Sequence, residues 1–329
     1  DGVHFVDVAS GHIIVDTSKP SNLTVGISSA MHVGNSGKIY VYNLGEHDLW
    51  KLPVTERSQT FVNVISKGNF IDVSGVDVKT DNRSSNSFTP TVPHHVAYGF
   101  RICEDPTDPD AYYVGTMFEG CYRIKDGKQT HKYFTDNSPL IGFAGTWAYP
   151  VGLPIVDRNG NLWLYQFRED IDGSKRIHYL PSSKRMSDDV KVSDWTSHSL
   201  KDQDKKTYRD MYGFACKQSD HVIMLPGRWN DVIIVLNGKG TESPADDTLL
   251  LIKKYIDQDS KQLSFSHGIC GIEDMKGRIW IGTDKGVFEI TDIKKVNSST
   301  ITVNHLKVPR NDGTNLADYL LDGQMVNCI

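Results

Sequence analysis

Asp157, Asn159 and Asn161 alternate as D-x-N-x-N, the opening of an oxygen-rich calcium loop. Such a loop needs a Glu at its twelfth position, and position 168 is Arg. The same residue types also build a hairpin, because Asp and Asn side chains bond the turn backbone, and we adopt that reading. Asp188-Asp189 and Asp246-Asp247 are adjacent pairs. Neighbours on an extended strand point to opposite faces, whereas glycoside hydrolysis needs two carboxyls facing one bond. Both pairs read as solvated loop charge. His94-His95 lacks an evident third metal ligand. No G-x-S-x-G elbow, H-E-x-x-H helix or Walker loop occurs, and Ser138-Pro139 and Gly142 are turn chemistry. The expectation is a protein that is not an enzyme, with no catalytic residue, no metal and no cofactor.

Cys103, Cys121, Cys216, Cys270 and Cys328 show no C-x-x-C spacing, so they read as small buried hydrophobes. Net charge is −5 over 329 residues, which gives nucleic acid no reason to bind. No apolar run approaches the roughly 20 residues that span a bilayer. Asp1-Gly2-Val3-His4-Phe5-Val6 already reads as a strand, so the chain is expected to begin inside a fold, with any signal peptide outside it.

The elements that position these residues are short strands. Runs rich in Val, Ile, Tyr and Phe recur between Gly, Asn, Asp and Pro clusters, the all-β pattern. The clearest unit runs Gly268–Glu273, turn Asp274–Gly277, Arg278–Thr283, then Val287–Ile290, with a fourth outer strand expected at Thr300–Val303. Copies are read at Phe100–Ile124 (through a longer Pro-Asp turn), Leu153–Tyr165, Gly213–Val235 and, more weakly, Ser29–Tyr42. Their middle positions, Tyr113, Trp163, Ile223 and Trp280, are spaced wider than the roughly 40–50 residues of a compact four-stranded blade. The prediction is a β-propeller of four-stranded antiparallel blades, six or seven in number, as a single domain over residues 1–329. Asp1–Val15 is expected to supply two outer strands, Leu320–Ile329 to start another, and Asp81–Ser87 to be a polar loop or insertion.

The unit D-x-x-G-x-[IL]-W-[IL]-x-T resembles the two-component regulator propeller repeat, fully at Asp274–Thr283 and in its first half at Asp157–Trp163. Tyr133–Leu140, Gly152–Trp163, Asn237–Thr241 with Asp246-Asp247, Pro309–Gly313 and Leu320–Gly323, in that order, resemble the PorZ-like propeller family of the Bacteroidetes type IX secretion system over roughly residues 95 to 329. Members of that family are longer, with two propellers and a C-terminal sorting domain. The resemblance implies a non-catalytic part of a cell-surface attachment complex, secreted to the surface or periplasm of a Gram-negative bacterium. The partners it implies are secretion-complex proteins or surface lipopolysaccharide. The shared repeat also fits a periplasmic glycan-sensing ectodomain, and fold analogy alone allows a polysaccharide-active propeller enzyme.

In a four-stranded meander the loops alternate between two faces. The D-x-x-G turn lies on one. The loop between the second and third strands lies on the other, with the connections between blades. That second face is expected to present Phe118, Tyr165-Gln166-Phe167-Arg168 and Arg228-Trp229-Asn230, joined by Trp147, Tyr149, Tyr212 and His267. Aromatic rings with Arg and Asn suit sugar or peptide binding.

Overall fold

The computed structural model describes residues 101–115, 120–126, 128–143, 147–148, 151–166, 177–198, 209–227, 231–327 and 329 and, before residue 101, the backbone of six strands. The insertion expected at 81–87 lies outside the described residues. Contacts divide the chain into two compact units, residues 1–135 with 140–151, and residues 136–139 with 152–329.

In the first unit, β1 (Phe5–Val6) pairs antiparallel with β2 (Ile13–Ile14). Sheet one is an antiparallel meander of β3 (Ser29–Val33), β4 (Ile39–Asn43), β5 (Val62–Ser66) and β6 (Asn69–Ile71). Sheet two repeats it with β7 (Arg101–Asp105), β8 (Asp108–Gly115), β9 (Cys121–Lys125) and β10 (Lys128–Tyr133). The turn from β7 to β8, expected to be long, is the two residues Pro106-Thr107, because Asp105 and Asp108 already pair. Thr107 donates its N–H to Asp105 Oδ1 at 3.0 Å, and the buried Arg123 pairs with Asp108 at 2.6 Å. A small ribbon of β11 (Gly142–Phe143) and β12 (Trp147–Ala148) follows.

The second unit holds sheet three, of β13 (Val151–Val156), β14 (Leu162–Gln166), β15 (Ile177–Leu180) and β16 (Thr196–His198), with a four-residue helix α1 (Ser182–Arg185) between the last two. Sheet four is β17 (Arg209–Ala215), β18 (His221–Gly227), β19 (Ile233–Asn237) and β20 (Thr248–Ile252). After β21 (Lys254–Ile256) and β22 (Gln262–Leu263) comes sheet five, β23 (Gly268–Glu273), β24 (Ile279–Thr283) and β25 (Gly286–Ile290).

Alternation along the strands builds the core. Side chains of one strand point to opposite faces. Val222 and Met224 of β18 pack with Trp163, Tyr165 and Tyr179 of sheet three, while Ile223 and Leu225 pack with Ile279, Ile281 and Phe288 of sheet five. Sheet four is therefore covered on both faces, and its strands read as apolar runs. Burying each such side chain contributes about 1.5–3 kcal/mol.

Two expectations are corrected here. The fourth strand of sheet five was placed at Thr300–Val303. Residues Thr300–Thr302 do form a strand, β26, but it pairs in parallel with β21, and only Asn304 bridges antiparallel to Glu289 of β25. With β22 these strands form a small separate sheet that brings the segment following sheet four against the segment following sheet five. Leu320–Ile329 was read as the start of a further strand. It is instead a turn and an extended segment lying on sheet five, with Val326 N–H bonded to Thr283 O at 2.9 Å and Val326 packed on Cys270 and Val287. Before it, β27 (Lys307–Pro309) and β28 (Ala317–Tyr319) form a hairpin.

Candidate functional site

The repeat turns are held by one recurring bond set. Asp157 Oδ1 accepts the N–H groups of Asn159 (2.9 Å) and Asn161 (3.0 Å), and its Oδ2 accepts Asn161 Nδ2 (2.9 Å) and Trp163 Nε1 (2.9 Å). Asp274 does the same with Lys276 N (2.8 Å), Arg278 N (3.0 Å) and Trp280 Nε1 (3.1 Å). Gly160 and Gly277 take the left-handed conformation each turn needs, with φ of 84° and 76°. The D-x-N-x-N pattern is thus turn chemistry, with both Asp157 oxygens occupied. The Trp163 and Trp280 indole N–H groups thus each latch the turn carboxylate six residues earlier. Asp257 makes a third copy through Asp259 N and Lys261 N, with Ser260 at φ 64° in place of Gly.

Sheet four departs from the rule. Cys216 stands where the repeat has Asp, and the amides of Lys217 and Gln218 are capped by the Glu273 carboxylate of sheet five. Asn159 Nδ2 and Arg158 Nε of sheet three both reach Asp220 Oδ1, at 2.9 and 2.8 Å. The turns of sheets three, four and five are therefore bonded to one another along one face. Burial pushes the Cys216 thiol up to about 12, which keeps it protonated and unreactive at neutral pH. Ser219 Oγ and His221 Nδ1 are 3.0 Å apart, both buried within this turn.

Two pockets adjoin sheet five, one at its junction with sheet four and the other beside β22 and the segment around His305. On the turn face, a pocket of about 380 Å³ is lined by Gln218, Ser219, Lys276, Asp292, Lys294 and Lys295. On the opposite face, where binding was expected, a pocket of about 210 Å³ is lined by Lys261, Phe265, Lys285, Val287, His305 and Asp322. His305 is buried and stacks on Tyr319 with ring centroids 4.1 Å apart and planes 4° apart. Tyr319 donates its hydroxyl to Asp259 Oδ2 at 2.6 Å, and Lys261 and Lys307 lie over its ring. Burial holds the His305 imidazole below its usual value, with Lys261 acting the same way and Asp322, Asp257 and Asp259 opposing. Neither pocket was foreseen, because each gathers residues from segments far apart in sequence.

Of the nominated residues, Phe118, Tyr149, Phe167, Arg168, Arg228, Trp229 and Asn230 lie outside the described residues. Trp147 begins β12, and its backbone pairs with Phe143. Tyr165 is corrected: it is fully buried in the cluster between sheets three and four, an inward position on β14, and presents no ring to a ligand. Tyr212 bonds Gly271 O at 3.2 Å and so ties sheets four and five together. His267 donates its N–H to Asp284 Oδ1 at 3.0 Å. Burial would raise the Asp284 carboxyl, but the N–H groups of Ser266 and His267 outweigh it and hold the group below the usual carboxylate range.

No protein-family profile and no curated protein sequence matches the chain. Among solved structures it is similar to PorZ, described as an essential bacterial surface component of the type IX secretion system of Porphyromonas gingivalis. Identity is 18%, the TM-score is 0.64, and the match covers 91% of this chain and 37% of that one. It is also similar to the extracellular domain of a hybrid two-component system from B. thetaiotaomicron, at 14% identity and a TM-score of 0.46, covering 91% of this chain and 30% of that one. The chain spans little more than a third of the length of PorZ. The likeness to PorZ, with the stacked antiparallel meanders, makes the fold an all-β propeller.

Proposed function

We propose that the chain is a non-catalytic binding and assembly propeller of the bacterial cell surface, working within a type IX secretion attachment complex and recognising a partner protein or lipopolysaccharide. On this reading it is one domain of six or seven blades within a longer protein. The observation that carries the proposal is how the polar residues of the repeats are used. The carboxylates of Asp157, Glu273 and Asp274 are consumed in capping turns, and polar side chains that cap no repeat turn, Lys276 and Lys294 in one case and Lys285 and His305 in the other, line two loop pockets beside sheet five. Loops held on a rigid scaffold are where binding sites are built. The propeller likeness to PorZ supports the setting. Affinity capture from an outer-membrane extract tests it. Co-purification of secretion-complex components is the expected result, and their absence under conditions that retain the folded chain would count heavily against the proposal.

A further inference from the structure

We propose that the turn face between sheets four and five docks an acidic segment of a partner protein, with Lys276 and Lys294 taking its carboxylates and Met275 taking an apolar side chain beside them. The inference rests on the reading of the chain as a binding module and adds the face and the chemistry of the partner.

Charge on this face is unbalanced. Each carboxylate around the pocket already has an internal partner. Asp220 is held by Arg158 and Asn159, Glu273 by the amides of Lys217 and Gln218, Asp274 by Arg278 and Trp280, and Asp292 by Lys294 N–H and Lys295. Among the described residues, no carboxylate lies within 4.0 Å of the ammonium groups of Lys217, Lys239, Lys276 or Lys294. In a chain of net charge −5, two of these uncompensated lysines, Lys276 and Lys294, line one pocket of about 380 Å³. Such a patch steers and orients an oppositely charged partner.

The second observation is Met275. It is 98% exposed at the tip of the Asp274 turn, next to Lys276, on a backbone fixed by the Asp274 carboxylate. A side chain so exposed contributes no folding contact, and methionine adapts readily to apolar side chains of a protein partner. The pocket lining contains no aromatic ring. A saccharide would lack the flat apolar platform that such rings provide, so a peptide is favoured over a glycan.

The test is fluorescence anisotropy on the full chain, using a labelled Glu/Asp dodecamer with two central leucines. The same peptide without leucine, oligogalacturonate and pyrophosphate serve as competitors. The leucine-bearing peptide should bind best and weaken as salt rises. The double variant Lys276→Glu/Lys294→Glu should lose about tenfold or more in affinity, as two attractions become repulsions at a half-exposed site. Met275→Ser should weaken only the leucine-bearing peptide, and Lys254→Glu should change nothing. Unchanged melting of the variants shows that they fold. Peptide affinity unaffected by the double reversal overturns the proposal. So does oligogalacturonate or pyrophosphate outcompeting the peptide at these lysines. Capture of secretion components by the doubly reversed chain as efficiently as by the native one overturns this docking face while leaving the assembly reading in place.

Discussion

Glu273 belongs to sheet five yet completes a turn of sheet four, and the reason lies in one substitution within the repeat. Where the other turns begin with Asp, sheet four has Cys216, whose thiol cannot accept strong bonds from the following amides. The amides of Lys217 and Gln218 are instead capped from outside by a carboxylate that is 8% exposed. Removing the acceptor leaves two partly buried donors unsatisfied. Glu273→Ala should therefore destabilise the chain by about 1–3 kcal/mol, read as a shift of the urea midpoint. Glu273→Gln, which keeps one oxygen acceptor, should recover part of the loss. A Cys216→Asp variant would bring a second carboxylate beside Glu273 and is not expected to rescue Glu273→Ala fully. This arrangement is invisible in sequence, since Glu273 and Lys217 sit in different repeats. The Asp157 and Asp274 turns were legible because donor and acceptor lie within one short motif.

The hairpin of β27 and β28 is an element that a pH change should loosen. Two strands alone are marginal in water. This pair is anchored through Tyr319 on His305 and Asp259, with Gln258 bonding both the N–H and the C=O of His305. The folded state holds the His305 imidazole below its ordinary 6.5, so the unfolded or undocked chain binds the proton more readily. The stabilisation is therefore complete above pH 6.5 and is lost as pH falls through the lower folded value. Amide exchange at 307–319 should accelerate between pH 7.5 and 5 relative to the rest of the unit, once corrected for intrinsic rates. His305→Phe keeps the ring stack, and its hairpin protection should not change with pH. The extended segment after the hairpin has a steric anchor. A Cβ on Gly282 would meet Cys270 Sγ at 2.6 Å and Val326 Cγ1 at 2.9 Å. Gly282→Ala should cost about 1–3 kcal/mol and expose residues 320–327 to limited proteolysis. The pairing of Thr300–Thr302 was not legible, because a period of two says which residues are buried and not which strand they meet.

At the scale of the second unit, sheets four and five should behave as one cooperative body. They share the cluster of Ile223, Leu225, Ile281 and Phe288, the Glu273 cap and the Tyr212 bond to Gly271, and the segments that follow them meet in the parallel pairing of β21 with β26. Ile223→Ala removes a fully buried side chain and should cost about 2–5 kcal/mol. Hydrogen exchange should report that loss across β23–β25 as well as β17–β20; loss confined to β17–β20 would show that the two sheets open separately. The inner two or three strands of the repeat units were legible from alternation and turn glycines, while the outer strands β10, β16 and β20 were not. The junction between sheets was not, because it is made by long-range pairs. The same parallel pairing also has a consequence for the newborn chain. Lys254–Ile256 leaves the ribosome well before Thr300–Thr302 exists. During that interval β21 has only β22 beside it, its other edge has no native partner, and an unpaired edge is a template for a second chain. The order of synthesis therefore sets a window, opening after residue 256 and closing at residue 302, in which a nascent-chain holdase has most to protect.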